Sequence, residues 1–310
     1  MINYKTFVEG NPDSSTKVLV ICGTHGNEQN AIASTLLARE ELNIQMAKVR
    51  KKYRPMVTFV VGWNETGIAN YEREYIDGES ETPNDLNRAF TPEGTNNNSK
   101  DFLILTIKEL IAKHDIIIDV HNSPLIANCV LINNDLYAER YVDFCKKADV
   151  IGLLQDVSTH TIKYYGIRND KFALTLELDT MGITHDNKEV LSANSLFIVH
   201  IIKQAIEYTN SKKKPDVINK NKTCLPAKYN AYEVKSHAEG VIWLTNLAKL
   251  GSYVMEGQVL ATIKSYDGNT LETVCAPCDG HVCTLPMTYI MPENSVLFYI
   301  QPEIDLWGLL

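Results

Sequence analysis

Apolar and polar positions divide the chain into two regimes. From residue 17 to about residue 208, short, mostly apolar runs alternate with longer stretches at helical spacing. The apolar runs cover 17–22, 56–61, 116–120, 128–132 and 172–178. Each predicts a strand buried on both faces, because a strand with one wet face would alternate apolar and polar residues. Helices are predicted over 29–50, 101–113, 136–147 and 187–208; in the second, Leu103, Ile107, Leu110 and Ile111 share one face. Residues 78–100 are rich in Gly, Asn, Ser, Thr and Pro and predict a surface loop. The alternation predicts an α/β domain over 1–208, with a mixed, largely parallel sheet between helices.

The second regime starts after a stretch at 209–226, where Lys212-Lys-Lys-Pro215 and further Asn-Lys pairs predict a linker. From 227 to 310, short strand-like runs are punctuated by Gly240, Gly251, Gly257, Gly268 and Gly280, with no helical pattern. This predicts a small all-β domain.

Charge and composition narrow the function classes. The net charge is −8 and no basic block exceeds three residues, so nucleic acid is not an expected partner. No apolar run reaches the length of a membrane span, and the N-terminus has no signal-like stretch. Seven cysteines, an odd and moderate count, fit free thiols in a reducing compartment. The expectation is a cytoplasmic protein acting on a small molecule; a homo-oligomer is compatible with it.

The chemistry gathers at strand ends. His25 and Glu28 lie three residues apart, just after the run 17–22 and before the helix from 29. In α/β proteins sites form at the carboxyl ends of strands. An imidazole and a carboxylate there can share a zinc and leave room for water, provided a third ligand arrives from another strand end. His121, directly after 116–120, meets that demand. A single strand-end histidine is ordinarily structural; the three together change that balance. Asp119 either orients an imidazole or caps the strand end.

A zinc site also needs a base to take a proton from its bound water. Glu177 lies inside Ala173-Leu-Thr-Leu-Glu-Leu178, where a lone buried carboxylate would be costly. It either faces a site or points outward. Arg88, in Asn84-Asp-Leu-Asn-Arg88, could clamp a carboxylate through paired hydrogen bonds, as could Arg73 or Arg168; the alternative for each is a solvated cation.

Together these pieces resemble the aspartoacylase and succinylglutamate desuccinylase family, within the zinc carboxypeptidase-like superfamily. Gly23-Thr-His-Gly-Asn-Glu28 resembles its first metal motif, Asp119-Val-His-Asn122 its second, and Asp85-Leu-Asn-Arg88 its substrate-binding stretch. Asn64, nine residues before Arg73, resembles the segment with the carbonyl-polarising arginine, and Leu176-Glu177 the catalytic-glutamate strand. The resemblance implies a three-layer α/β/α catalytic domain and one Zn2+ per chain on His25, Glu28 and His121. It implies Glu177 as general base and then acid, and Arg73 as carbonyl-polarising. Asn87 and Arg88 would bind a carboxylate, with Tyr164 and Arg168 as further substrate contacts. The implied reaction is hydrolysis of the amide bond of an N-acyl amino acid or similar small amide. A carboxypeptidase acting on short peptides and a non-catalytic zinc- or ligand-binding homologue are the alternatives. The chain departs from the family pattern in the extra residues Gly78 to Asn84.

The C-terminal domain resembles the folded hairpins of biotinyl and lipoyl carriers. Its expected tip, Ser265-Tyr-Asp-Gly-Asn269, holds no lysine, so a carrier fold without carrier function is implied. Cys275-Ala-Pro-Cys278, with His281 and Cys283 beyond, has a metal or redox reading, but its Pro and Gly already explain a strand-turn-strand.

Overall fold

The computed structural model describes residues 4–76, 85–91, 99–123, 126–133, 135, 137–155, 158–179, 188–211, 230–286 and 288–303. The extra residues 78–84 and the linker stretch 212–226 lie outside them. The α/β part contains β1 (Lys5–Gly10), β2 (Lys17–Cys22), α1 (Gln29–Ala47), β3 (Met56–Val61), α2 (Glu65–Asn70), α3 (Ser99–Ala112), β4 (Ile116–Ser123), β5 (Cys129–Asn133), α4 (Ala138–Ala148), β6 (Ile151–Gln155), α5 (Ile162–Arg168), β7 (Phe172–Asp179) and α6 (Lys188–Ser211). Then follow β8 (Tyr232–Lys235), β9 (Gly240–Leu244), β10 (Tyr253–Val254), β11 (Val259–Lys264), β12 (Thr270–Cys275), β13 (Gly280–Val282), β14 (Ile290–Met291) and β15 (Val296–Pro302). By compactness the chain forms two units that interleave along the sequence: Met1–Asn122, Ser158–Leu178 and Thr184–Val217 in one, Ser123–Val157, Asp179–Ile183 and Ile218–Leu310 in the other.

The first unit is built on strands in the order β1-β3-β2-β4-β7. β2 runs parallel to both β3 and β4, with Val20 opposite Phe59 on one side and Ile118 on the other. β1 is antiparallel to β3 and makes the sheet mixed. Val18 to Cys22 are all fully buried. Consecutive strand residues point to opposite faces, so both faces are covered. Each such aliphatic side chain contributes about 1.5–3 kcal/mol by burial. Helix α1 packs with α6, and α3 with α5. Gly166 lets α5 lie close on the sheet: a Cβ there would stand 2.9 Å from Cβ of Ala173 and 3.5 Å from Ile117.

Four elements go beyond the sequence expectation. β1 is an edge strand with a half-exposed pattern, and β6 is interrupted by Gly152, so neither has the continuous apolar run of a central strand. Helices α2 and α5 have six and seven residues, too short to show a period; their starts are set by side-chain caps from Asn64 and Thr161. β4 also runs on to Ser123, which places His121 within the strand rather than after it.

The second unit holds the parallel pair β5–β6 with α4, and two four-stranded antiparallel sheets, β10-β13-β15-β8 and β12-β11-β9-β14. Leu260, Ile263, Val282, Phe298 and Ile300 fill the core between the sheets. The β11–β12 hairpin turns at Tyr266-Asp-Gly268, with Gly268 at φ +91°, so the expected tip is in place. No helix among the described residues is long and apolar enough to cross a membrane.

Candidate metal centre

The loop after β2 has two positions that only glycine fits, one for its backbone angle and one for its close approach to α2. Gly23 has φ +77°, and a Cβ there would stand 2.8 Å from Cα of Gly62. A Cβ on Gly26 would reach 2.0 Å from the carbonyl carbon of Gly67, so the loop presses directly on α2. This brings His25 inward and leaves Glu28 at the N-cap of α1. The Glu28 carboxylate makes no cap hydrogen bond and turns instead to the imidazoles.

The three expected ligands meet. His25 Nδ1 lies 2.6 Å from Glu28 Oε1, and His121 Nδ1 lies 2.9 Å from Glu28 Oε2. The two Nδ1 atoms are 3.1 Å apart. All three residues are buried. Among the described residues, no other group of three His, Cys, Asp or Glu has one ligand atom from each within 4.8 Å.

Behind each ring stands a carboxylate. His25 Nε2 is 3.1 Å from Asp85 Oδ1, and His121 Nε2 is 2.8 Å from Asp119 Oδ2. An ionised carboxylate only accepts, so each Nε2 donates a proton to its acid, while each Nδ1 faces the Glu28 carboxylate at the shared centre. Asp119 is fully buried and its oxygens are satisfied further by Thr24 Oγ1 at 3.2 Å and Asn87 Nδ2 at 3.2 Å. Trp63 Nε1 donates in turn to Thr24.

Electrostatics follow from these contacts. Burial opposes ionisation of Glu28, but His121 and His25 outweigh it and hold its pKa at about 2. Burial would lower the His121 pKa, yet the carboxylates of Asp119 and Glu28 raise it well above the ordinary value. Asp85 shows the same contest: burial is outweighed by His25, Arg73 and Arg88, and its carboxyl titrates far below the usual range.

Glu177 reaches the same end of the sheet. Phe172 N–H donates to Asp115 O at 3.0 Å, so neighbouring strands β7 and β4 start level. Ala173 and Ile117 both face Gly166. Side chains alternate, so residues four further on, Glu177 and His121, lie on that same face near the strand ends. Glu177 is half-buried.

Arg73 approaches Glu28 Oε1 and Asp85 Oδ2, each at 3.4 Å. Arg88 donates to Asn87 O at 2.9 Å and lies 4.0 Å from Asp85. Both guanidinium groups are nearly half-exposed around one acid. Asn87 is buried, and its amide is turned inward: Nδ2 to Asp119, with His121 Nε2 3.0 Å away, and Oδ1 to Ile162 N–H at 3.0 Å. Tyr164 and Arg168 meet each other, with the guanidinium 4.6 Å over the ring. Their helix is tied to the site by that Ile162–Asn87 bond.

The place of Asp85 behind His25 was not visible in the residues alone. Its only signal is its position two residues before Asn87 in a polar loop. In the second unit, burial pushes the Cys278 thiol above its usual pKa, which disfavours the thiolate needed for redox or metal chemistry.

The donor set suits zinc: two imidazole nitrogens and a carboxylate, each ring backed by an acid. Residues 14–188 match the family model of the succinylglutamate desuccinylase/aspartoacylase catalytic domain. Nearly the whole chain is similar in fold to solved structures of low sequence identity, among them these three. The product-bound ectoine utilization protein EutE (DoeB) from Ruegeria pomeroyi has a TM-score of 0.62 at 13% identity, over 96% of this chain and 88% of that one. An aspartoacylase family protein from Mesorhizobium loti has a TM-score of 0.63 at 16% identity, over 97% and 89%. A succinylglutamate desuccinylase/aspartoacylase from Rhodobacter sphaeroides has a TM-score of 0.61 at 16% identity, over 96% and 89%. No curated protein matches the chain in sequence.

Proposed function

The chain belongs to the succinylglutamate desuccinylase/aspartoacylase family, and on that premise we propose that it is a zinc-dependent amidohydrolase that removes the acyl group from an N-acyl amino acid or similar small amide. The observation that carries this reading is the convergence of His25, Glu28 and His121 on one buried centre, with Glu177 on the same face of the sheet. His25 Nδ1, His121 Nδ1 and the Glu28 carboxylate would hold one Zn2+ per chain. When bound, zinc supplies Lewis-acid activation of water and of the scissile carbonyl.

The side chains do the rest. Glu177 takes a proton from the attacking water and returns it to the departing nitrogen. Arg73, drawn to the centre by Glu28 and Asp85, donates to the carbonyl oxygen as charge develops there. Arg88, beside it at the mouth, binds a carboxylate of the amino-acid portion, with Tyr164 and Arg168 as outer contacts. The inward-turned Asn87 amide supports that carboxylate site from behind. Residues 1–208 form the catalytic domain and 227–310 an appended β-domain without carrier function. The cysteines among the described residues are free thiols, which suits a cytoplasmic setting.

The test is metal analysis of the purified protein together with hydrolysis of acetyl-, succinyl- and peptidyl-amino acids. One zinc per chain and release of a free amino acid from an acyl substrate are expected. Preference for the peptides would replace the deacylase reading with a carboxypeptidase. No turnover of any of the three would remove the enzymatic reading.

A further inference from the structure

Helix α1 has an unusual start. The first turn of a helix leaves its N–H groups without intrahelical partners, and the N-cap side chain ordinarily accepts from one of them. Here the N-cap is Glu28, and its carboxylate is directed to the two imidazoles. The cap comes from elsewhere. Oδ1 of Asn122 accepts from the N–H of Ala31 at 2.7 Å, across a separation of 91 residues.

Asn122 makes a second link in the same direction. Its backbone N–H donates to Glu28 Oε2 at 3.3 Å. It directly follows His121 on β4. One residue therefore ties the strand that carries one ligand to the helix start that carries another, at two points. It also relieves Glu28 of a conflict, because a glutamate capping its own helix would withdraw from the histidines.

We infer that Asn122 is a positioning residue of the metal centre, holding the Glu28 carboxylate in register with His121 by capping α1 from the neighbouring strand. The inference rests on the reading that His25, Glu28 and His121 hold zinc. Loss of the Asn122 amide leaves the Ala31 N–H with the longer bond to the Glu28 backbone carbonyl at 3.2 Å, and the Glu28 side chain then divides between cap and ligand. Residues that orient metal ligands alter affinity by about 10- to 100-fold when replaced.

The test uses the full chain and zinc itself. Zinc affinity is measured by competition with a chelator for the parent, Asn122→Ala and Asn122→Asp. Melting of each is followed in excess chelator, and the Co2+ absorption spectrum reports ligand geometry. Asn122→Ala should bind zinc at least about 10-fold more weakly, with a changed Co2+ spectrum. Asn122→Asp, which keeps the acceptor for Ala31, should restore affinity to within about threefold of the parent, well inside the effect of losing an orienting group. It remains decisive if the alanine variant does not fold. Equal zinc affinity in Asn122→Ala and the parent, with only the melting point lowered, would make Asn122 a helix cap alone and overturn the inference. So would an aspartate variant with zinc binding about 10-fold or more below the parent. A parent that binds no zinc would overturn the metal reading itself, a separate result.

Discussion

Asp85 Oδ1 stands 3.1 Å from Nε2 of His25, joining residues 60 apart in sequence. The same carboxylate draws in Arg73 and lies within 4.0 Å of Arg88. One acid thus orients the His25 imidazole and gathers the two cations beside it. Asp85→Asn keeps the shape and removes the charge. It should weaken zinc binding by about 10- to 100-fold, measured by chelator competition. Unchanged affinity would show that His25 is oriented without it.

Glu177→Gln should retain zinc and the parent melting temperature, while kcat falls by about 10²–10⁴, the range for loss of a general acid–base group. Metal analysis and steady-state kinetics on one sample check both halves. Near-normal turnover would remove Glu177 from the mechanism.

The two arginines should separate kinetically. Arg88→Lys keeps the charge but not the planar fork, so its main effect should be a rise in KM of about tenfold, the scale of one lost charge-assisted hydrogen bond. Arg73→Ala should act mainly on kcat, by about 10²–10³, as expected when a donor to a developing oxyanion is lost. A pure KM effect for Arg73→Ala would reassign it to substrate binding.

In chelator-treated protein the Glu28–His121 pair should make stability depend on pH. Glu28 is lowered from 4.5 to about 2, so its contribution is present above 4.5 and lost as pH falls toward 2. His121 is raised well above 6.5, so its contribution is full below 6.5 and lost as pH rises through the folded value. Both act between 4.5 and 6.5, and the melting temperature should decline on the alkaline side of that window. Zinc requires His121 Nδ1 without its proton, so uptake should release a proton and tighten with rising pH. Melting curves from pH 5 to 9 and an indicator-dye titration test the two parts; pH-independent zinc affinity would contradict the second.

Gly26→Ala should destabilise the fold by about 1–3 kcal/mol through overpacking. The added Cβ would meet backbone atoms of Gly67 and Ile68, at 2.0 and 2.3 Å, which cannot rotate away. Since Gly26 lies between His25 and Glu28, zinc affinity should fall as well. A melting temperature equal to the parent's would mean that the loop and α2 separate more freely than their packing indicates.

The identity of the candidate metal ligands was legible in the chain because it depends on local order. An apolar run ending at Cys22 makes a buried strand wherever it lies, and the ligands follow within six residues. The same holds for His121 in β4 and Glu177 in β7. Short helices were not legible: α2 and α5 start at side-chain caps and have too few residues for a period. What surrounds the ligands was decided by tertiary structure alone. Asp85 meets His25, Asn87 meets Asp119, and Asn122 meets Ala31 across 60, 32 and 91 residues. Such contacts carry no sequence period, because they arise only when the parallel strand order brings separate loops over one edge of the sheet. Local hydrophobic pattern determined which residues are placed as candidates to hold a metal; the closure of distant loops determined how each is aimed and how strongly it is charged.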